Sequence, residues 1–170
     1  MAGNSLKLKI LTTGGTIDKI YFDSKSEFEV GEPEIGRILD EAQVAFDYEV
    51  VQLLRKDSLE LDDKDRELIR QTVAEDECDR ILITHGTDTM TDTAAVLDGM
   101  AGKTIVLTGA LHPARFRSSD AIFNIGMAVV AAQSMPPGIY ITMNGRVFDA
   151  ARVRKNRDHN RFEPVPDGET

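Results

Sequence analysis

The sequence has few of the side chains that usually hold metals or covalent cross-links. Its 170 residues include one cysteine, Cys78, and three histidines. A single cysteine excludes both an intrachain disulfide and a metal site built from several cysteines. Neither His-x-x-x-His nor Glu-x-x-His spacing occurs, so the histidines do not indicate a metal site either. The phosphate-binding patterns Gly-x-x-x-x-Gly-Lys-[Ser/Thr] and Gly-x-Gly-x-x-Gly are also absent. We therefore predict no metal and no cofactor.

Long apolar runs and an excess of positive charge are also missing. No apolar stretch approaches the roughly 20 residues that cross a bilayer, and the sequence after Met1 shows neither a basic nor an apolar signal region. The net charge of -9 argues against general nucleic-acid binding. We expect one domain over residues 1–170 with no C-terminal domain, located in the cytoplasm and with no nucleic-acid or membrane partner.

Strand and helix patterns alternate along the chain. Residues 6–10 and 46–54 alternate apolar and polar side chains, whereas 81–83, 105–107 and 139–141 are continuous apolar runs typical of strands covered on both faces. Between them lie four helical stripes: Ile35, Ile38, Leu39 and Ala42; Leu61, Leu68, Ile69 and Val73; Met90, Thr93, Ala94, Leu97 and Ala101, ending at Gly102; and Ile122, Ile125, Gly126, Val129 and Val130, stopped by Pro136. This order predicts an α/β fold, a doubly wound and mostly parallel sheet with helices on both faces.

The segment 17–32 interrupts this order. It has hairpin-like alternation but is too long for a minimal connection between a strand and a helix. Such a segment is either a flap over a site or an irregular surface hairpin. Its position directly after Thr16 favours an active-site flap.

Polar residues and glycines follow each predicted strand. Because the carboxyl ends of parallel strands meet at one edge, we expect a binding site there. The alternative is that turns are simply rich in glycine and threonine, and that Thr87 and Asp88 only cap a helix. The segments concerned are 12–16, 57–58, 84–89, 108–110 and 142–145.

Hydroxyl groups in these turns suggest chemistry at a carbonyl or phosphoryl centre. A threonine is a weak nucleophile and needs a neighbouring base. His85 is a candidate member of this edge, but it adjoins a buried strand, and internal hydrogen bonding is its alternative role. His112 and His159 lie in polar loops and are weaker candidates. A buried lysine is the alternative base, because burial lowers the pKa of an ammonium group. The residues alone do not select Lys155 over Arg154 or Lys56.

Two of these turns resemble the signatures of the bacterial-type L-asparaginases. Thr13-Gly14-Gly15-Thr16-Ile17 is similar to the first signature, and His85-Gly86-Thr87-Asp88-Thr89-Met90 to the second. The likeness continues through residues 108–113, 119–124 and 149–156, so it covers nearly the whole chain.

The resemblance implies roles for particular residues. Thr16 would be the nucleophile or the main threonine in contact with the acyl group, with Tyr21 of the flap as its activating partner. Thr87, Asp88 and Lys155 would form a relay in which Lys155 takes the proton of Thr87, and Asp88 would also meet the α-amino group of the substrate. The implied substrate-binding residues are Gly15, Asp57, Ser58, Gly86 and Ala110.

The implied reaction is hydrolysis of L-asparagine to L-aspartate and ammonia by threonine-based acyl transfer, with a weaker activity on glutamine. Typical family members have a second domain, and a neighbouring subunit completes each site. This chain resembles a short, one-domain form, and we expect a homodimer or homotetramer. Two other classes stay open: a catalytically silent amino-acid-binding or regulatory module, and a glutamine-processing subunit of a tRNA-dependent amidotransferase.

Overall fold

A six-stranded sheet forms the centre of the molecule. The computed structural model describes residues 6–166. The strands of this sheet are β1 (Lys7–Gly14), β4 (Asp47–Lys56), β5 (Arg80–Thr84), β6 (Thr104–Thr108), β7 (Gly138–Met143) and β8 (Arg146–Asp149). Their order is β4-β1-β5-β6-β7-β8, and only β8 runs antiparallel to its neighbour. The predicted doubly wound, mostly parallel α/β fold is therefore confirmed. The strand order reverses beside β1, so the crevice beyond the carboxyl end of this strand is the expected binding position.

Helices cover the two faces of this sheet. Side chains of α1 (Ile35–Glu41) and α4 (Ala121–Ser134) form one core with Ile10, Leu82 and Val106. Side chains of α2 (Asp63–Glu75) and α3 (Met90–Val96) form the other core with the next residue of each strand, such as Leu11. Successive strand residues point to opposite faces. This arrangement explains why the continuous apolar runs are buried on both sides.

Three helical predictions were wrong in detail. Leu61 lies before the first residue of α2, and Leu68 is 41% exposed. Helix α3 ends at Val96 instead of reaching Gly102, because the chain turns through Gly99 at φ +83°. In α4, Ile122 and Val130 were assigned to the buried stripe but are 60% and 61% exposed. The buried face of α4 instead carries several alanines, whose small side chains allow the helix to lie close to the sheet.

Threonines mark the edge of the sheet at which the predicted site lies. Thr12 pairs with Thr84, Thr84 with Thr108, and Thr108 with Thr142, so four neighbouring strands carry a threonine in one row. All four side chains are buried. The polar turns noted in the sequence leave the sheet directly after this row.

Two small antiparallel sheets complete the fold. The strands β2 (Lys19–Phe22) and β3 (Glu27–Val30) form a hairpin within the predicted flap segment. The strands β9 (Val153–Asn156) and β10 (Arg161–Pro164) form the other, and β9 carries Lys155. Over the residues that are described, no helix has the length and apolar character needed to span a bilayer.

Candidate active site

The two threonine-bearing turns meet through the backbones of Gly15 and Gly86. A β-carbon on Gly15 would lie 2.4 Å from the Gly86 nitrogen and 2.5 Å from its α-carbon. Gly15 also has φ +89° and ψ -175°, a conformation essentially restricted to glycine. Glycine at position 15 is therefore what allows this contact, which brings together the backbones that carry Thr16 and Thr87.

The segment Asp57–Ser58 forms a further wall of the same site. A β-carbon on Gly86 would lie 2.6 Å from both Cβ and Oγ of Ser58. The hydroxyl of Thr89 donates to the Ser58 carbonyl at 2.8 Å. Gly86 therefore lies between the first threonine turn and Ser58, and three separate loops share one small volume.

Lys155 joins the side chains of the second turn. Its Nζ donates to Thr87 Oγ1 and to Asp88 Oδ1, each at 2.8 Å. The Lys155 side chain is only 11% exposed, and Thr87 is buried. A lysine in this position is able to take the proton of the threonine hydroxyl or to stabilise negative charge on its oxygen, while the carboxylate holds the amine in place.

An ion pair that the sequence did not indicate lies beside this group. Lys19 Nζ is 2.7 Å from Asp57 Oδ2, and the Leu59 N–H donates to Asp57 Oδ1 at 3.2 Å. Burial acts to raise the pKa of Asp57, but these two hydrogen bonds and the charges of Lys19 and Lys155 hold that pKa below its usual value. Asp57 is therefore ionised at neutral pH. The one sequence signal for this ion pair is the position of Lys19 within the predicted flap.

His85 has an internal role in this structure. Its Nδ1 lies 2.7 Å from the Gly86 carbonyl oxygen, and its Nε2 lies 2.7 Å from Thr93 Oγ1. A carbonyl oxygen only accepts, so Nδ1 carries the proton and Nε2 accepts from the threonine hydroxyl. Complete burial lowers the pKa of His85 to about 4. The neutral imidazole therefore holds the second threonine turn in place through its hydrogen bonds to Gly86 and Thr93.

Tyr21 lies on the hairpin, where its ring packs against another aromatic ring. Its side chain is 48% exposed, and its ring centroid is 5.1 Å from that of Phe28. Phe28 in turn lies 6.0 Å from Phe116. Within residues 6–166 the structure gives the Tyr21 hydroxyl no hydrogen bond, and Thr16 is half-buried in a 3-10 turn at the base of the same hairpin.

Ala110 contributes its backbone to this edge. Its side chain is buried in the same core as Ile17 and Ala114, so only main-chain atoms can face a ligand. The preceding Gly109 accepts a hydrogen bond from the Asn124 amide at 2.9 Å, which fixes this loop against α4.

A buried carboxyl group that the sequence analysis did not identify, that of Asp18, lies two residues after Thr16. Asp18 Oδ1 accepts from the Glu34 N–H at 3.0 Å. Burial raises the pKa of Asp18 to about 7. Glu34 is itself paired with Arg37 and Arg115. The hairpin therefore begins directly after a carboxyl group, that of Asp18, which changes charge near neutral pH.

Comparison with known proteins gives one consistent family. A family model described as "Asparaginase, N-terminal" matches residues 7–164. The L-asparaginase of Thermococcus kodakarensis is 32% identical over 160 residues, or 88% of this chain and 48% of that protein. L-asparaginase 2 of Escherichia coli is 32% identical over 163 residues, or 87% of this chain and 46% of that protein. A shorter match, 42% identical over 85 residues, covers 49% of this chain and 20% of a glutamyl-tRNA(Gln) amidotransferase subunit from Methanococcus vannielii.

The fold leads to the same family. The solved structure of the thermostable L-asparaginase from Thermococcus kodakarensis superposes with a TM-score of 0.79 at 30% identity. The match covers 94% of this chain and 51% of that one, so the chain spans about half the length of the relatives it matches. Because the family model, the sequence relatives and the solved structure agree over most of its residues, the chain belongs to the asparaginase family.

Proposed function

We propose that the protein hydrolyses L-asparagine to L-aspartate and ammonia. The observation that carries this proposal is Lys155, whose Nζ hydrogen-bonds Thr87 and Asp88 next to the contact between Gly15 and Gly86. A hydroxyl, an amine and a carboxylate in direct contact form the kind of group that moves protons during acyl transfer. The names of the relatives support asparagine as the substrate.

The proposed reaction has two halves. Thr16 attacks the carbon of the side-chain amide, the proton that its hydroxyl loses passes to the leaving nitrogen so that ammonia departs, and water then hydrolyses the β-aspartyl ester and returns a proton to the Thr16 oxygen. Lys155 accepts the proton of Thr87 while Asp88 fixes Lys155 and meets the α-ammonium group. Backbone N–H groups of the two glycine turns stabilise the oxyanion, an effect worth about 10²–10³ in rate for one donor. The competing route is direct attack by water that Thr87 activates.

Ammonia release from purified protein tests the proposal. We expect release from L-asparagine, slower release from L-glutamine and slower release still from D-asparagine. Quantifying aspartate in the same samples identifies the product. Absence of ammonia from all three amides refutes the proposed activity.

Two alternatives have support of their own. The partial match to an amidotransferase component supports a glutamine-processing role, and a preference for glutamine over asparagine in the assay favours it. A silent amino-acid-binding module is the other alternative. Calorimetric binding of L-aspartate together with no ammonia release favours that module.

Assembly and compartment are part of the proposal. We expect a homodimer or homotetramer, and the exposed apolar side chains Ile122, Phe123 and Val130 on α4 support contact with a second copy. Light scattering that finds a fully active monomer contradicts this assembly. We also propose that residues 1–170 act as one domain, with segment 17–32 as a flap, in the cytoplasm. Cell fractionation tests the compartment.

A further inference from the structure

One residue, Asp18, ties both ends of the hairpin to the turn that carries Thr16. Its N–H donates to the Gly15 carbonyl at 3.2 Å, which closes the 3-10 turn that holds Thr16. Its own carbonyl accepts from the Gly31 N–H at 2.7 Å, and its side-chain Oδ1 accepts from the Glu34 N–H at 3.0 Å. The hairpin therefore leaves the turn and returns to it at a single residue.

The side chain of Asp18 is the one part of this tie that gains or loses a proton. Asp18 is 2% exposed. Burial raises its pKa to about 7, the hydrogen bond from the Glu34 N–H acts to lower it, and the charges of Glu34 and Glu32 raise it further. Lys19 follows Asp18 in the chain, but its Nζ lies 2.7 Å from Asp57 Oδ2. The carboxyl group therefore keeps its proton in mildly acidic solution and is ionised in mildly alkaline solution.

The cations on this side of the hairpin are paired with the two glutamates. Glu34 Oε2 accepts from Arg37 Nε at 2.8 Å, and Glu34 Oε1 pairs with Arg115. Glu32 pairs with Arg55 at 2.8 Å. Among the residues that the structure describes, no lysine or arginine is within ion-pair distance of the Asp18 carboxyl group. An ionised Asp18 therefore lies buried without a cation of its own.

We propose that Asp18 is a positioning residue for Thr16, and that the proton on its carboxyl group keeps the hairpin closed at its base. The inference rests on the proposed amidohydrolase function, because it names how that site responds to pH. A buried carboxylate without a cation is costly, so loss of the proton favours an opened base in which water reaches the carboxylate. Opening separates Asp18 from the Glu34 N–H and releases the turn that carries Thr16.

The pH profile of ammonia release from L-asparagine separates positioning from simple support. Asp18→Asn keeps an acceptor for the Glu34 N–H but has no ionisable group. Its kcat/KM should match that of the wild type at about pH 5 and exceed it by about 5- to 10-fold at about pH 8, within the tenfold per pH unit that proton linkage allows. Asp18→Ala removes the acceptor, so its kcat/KM should be about 10-fold below that of Asp18→Asn at both pH values.

Amide hydrogen exchange gives a second measurement that does not depend on turnover. The Gly31 and Glu34 N–H groups both donate to Asp18. Their protection factors in the wild type should fall as the pH rises to about 7 and stay constant above, as linkage requires, whereas in Asp18→Asn they should not change with pH. The reference is the His85 N–H, which donates to the Thr108 carbonyl at 2.9 Å in the central sheet. Its protection should be far higher, because the hairpin base opens locally.

Asp23→Asn is the matched control for the removal of one carboxylate. Asp23 is exposed in the turn between β2 and β3, at the other end of the same hairpin. This variant loses the same charge without altering the base, so its pH profile and its exchange at Gly31 and Glu34 should equal those of the wild type.

The failures are distinguishable. Wild-type protein that releases no ammonia overturns the proposed function and this inference with it. Active wild-type protein whose pH profile is unchanged in Asp18→Asn overturns the inference alone. Equal protection of the Gly31, Glu34 and His85 amides also overturns it, because the base then opens only when the whole protein unfolds. So does a loss of kcat/KM in Asp18→Asn that is equal at both pH values and accompanied by a lower Tm, since a purely structural role has that effect.

Discussion

Gly15 lies so close to the backbone of Gly86 that position 15 has no room for a side chain. The hypothetical β-carbon of Gly15 would lie 2.4 Å from the Gly86 nitrogen, well inside van der Waals contact. This approach, between loops 71 residues apart in the sequence, fixes the separation of the two threonines that we assign to catalysis.

Adding a methyl group at this contact should damage both stability and turnover. We expect Gly15→Ala to lower the free energy of unfolding by about 1–3 kcal/mol, because alanine is strained at this φ and its Cβ overlaps the second turn. The rate of ammonia release should fall by about 10²-fold, because displacing one turn misplaces Thr16 relative to Thr87. Denaturant unfolding and steady-state kinetics measure the two effects.

Gly36→Ala is the matched control for that substitution. Gly36 lies in α1, and a β-carbon there would meet nothing within 4 Å. Alanine is favoured over glycine in a helix by about 0.5–1 kcal/mol, so this variant should be slightly more stable and fully active. Equal losses in the two glycine variants contradict our account of the contact.

Removing the Lys155 ammonium group should abolish most of the activity. Lys155→Met leaves Thr87 and Asp88 without their shared partner, and we expect kcat to fall by about 10²–10⁴-fold, the range for positioned proton transfer. Lys7→Met is the control, because Lys7 is exposed at the start of β1 and pairs with Glu49. A kcat within a few-fold of wild type in Lys155→Met removes this residue from the mechanism.

Asp18 should give the stability a specific dependence on pH. Its pKa is about 7 in the folded protein and near 3.9 in an unfolded chain, so the folded state holds the extra proton between these values. Its contribution is therefore fully present below pH 4 and is lost as pH rises to 7, at up to about 1.4 kcal/mol per pH unit. Asp18→Asn should keep the hydrogen bond from the Glu34 N–H and remove this loss.

Unfolding free energies at several pH values test this expectation. The advantage of Asp18→Asn over wild type should grow between pH 4 and 7 and stay constant above. His85, whose pKa is lowered to about 4, has the opposite effect, because the unfolded chain binds its proton first as pH falls below 6.5. As the pH falls from 7 to 4, the free energy of unfolding of Asp18→Asn should therefore decrease more than that of the wild type. A pH-independent difference between the two proteins contradicts the prediction.

Tyr21→Phe separates the hydroxyl of Tyr21 from its ring. The ring packs against Phe28, and phenylalanine preserves that contact, so Tm should not change. If the hydroxyl activates Thr16 when the hairpin closes, kcat should fall by about 10- to 100-fold. Unaltered kcat shows instead that the hairpin acts through its aromatic surface or through Lys19.

Part of this structure could be predicted because buried strands require apolar side chains, which are visible in the sequence. The continuous apolar runs identified β5, β6 and β7, since strands covered on both faces need apolar side chains at successive positions. The buried face of α4 was misread because alanines pack it and larger side chains point outward. Small residues contribute little to a hydrophobic period, so the pattern favoured the wrong face.

The sequence also predicted only part of the candidate site. Glycine and threonine clusters located the sheet edge, but only the family resemblance selected Lys155, since a lysine 67 residues from Asp88 leaves no local signal. Asp18 and Lys19 were missed because nothing in the sequence distinguishes a buried or site-facing charge from an exposed one. Their positions depend on how the hairpin packs against the residues before α1 and against the Asp57 loop.

The most direct test of the central claim is ammonia release from L-asparagine by Thr16→Ala and Thr87→Val beside the wild-type protein, with Tm recorded for each. If the two threonines act on one substrate, both variants should lose at least about 10²-fold in kcat while their folds persist. Turnover near the wild-type rate in either correctly folded variant contradicts the account.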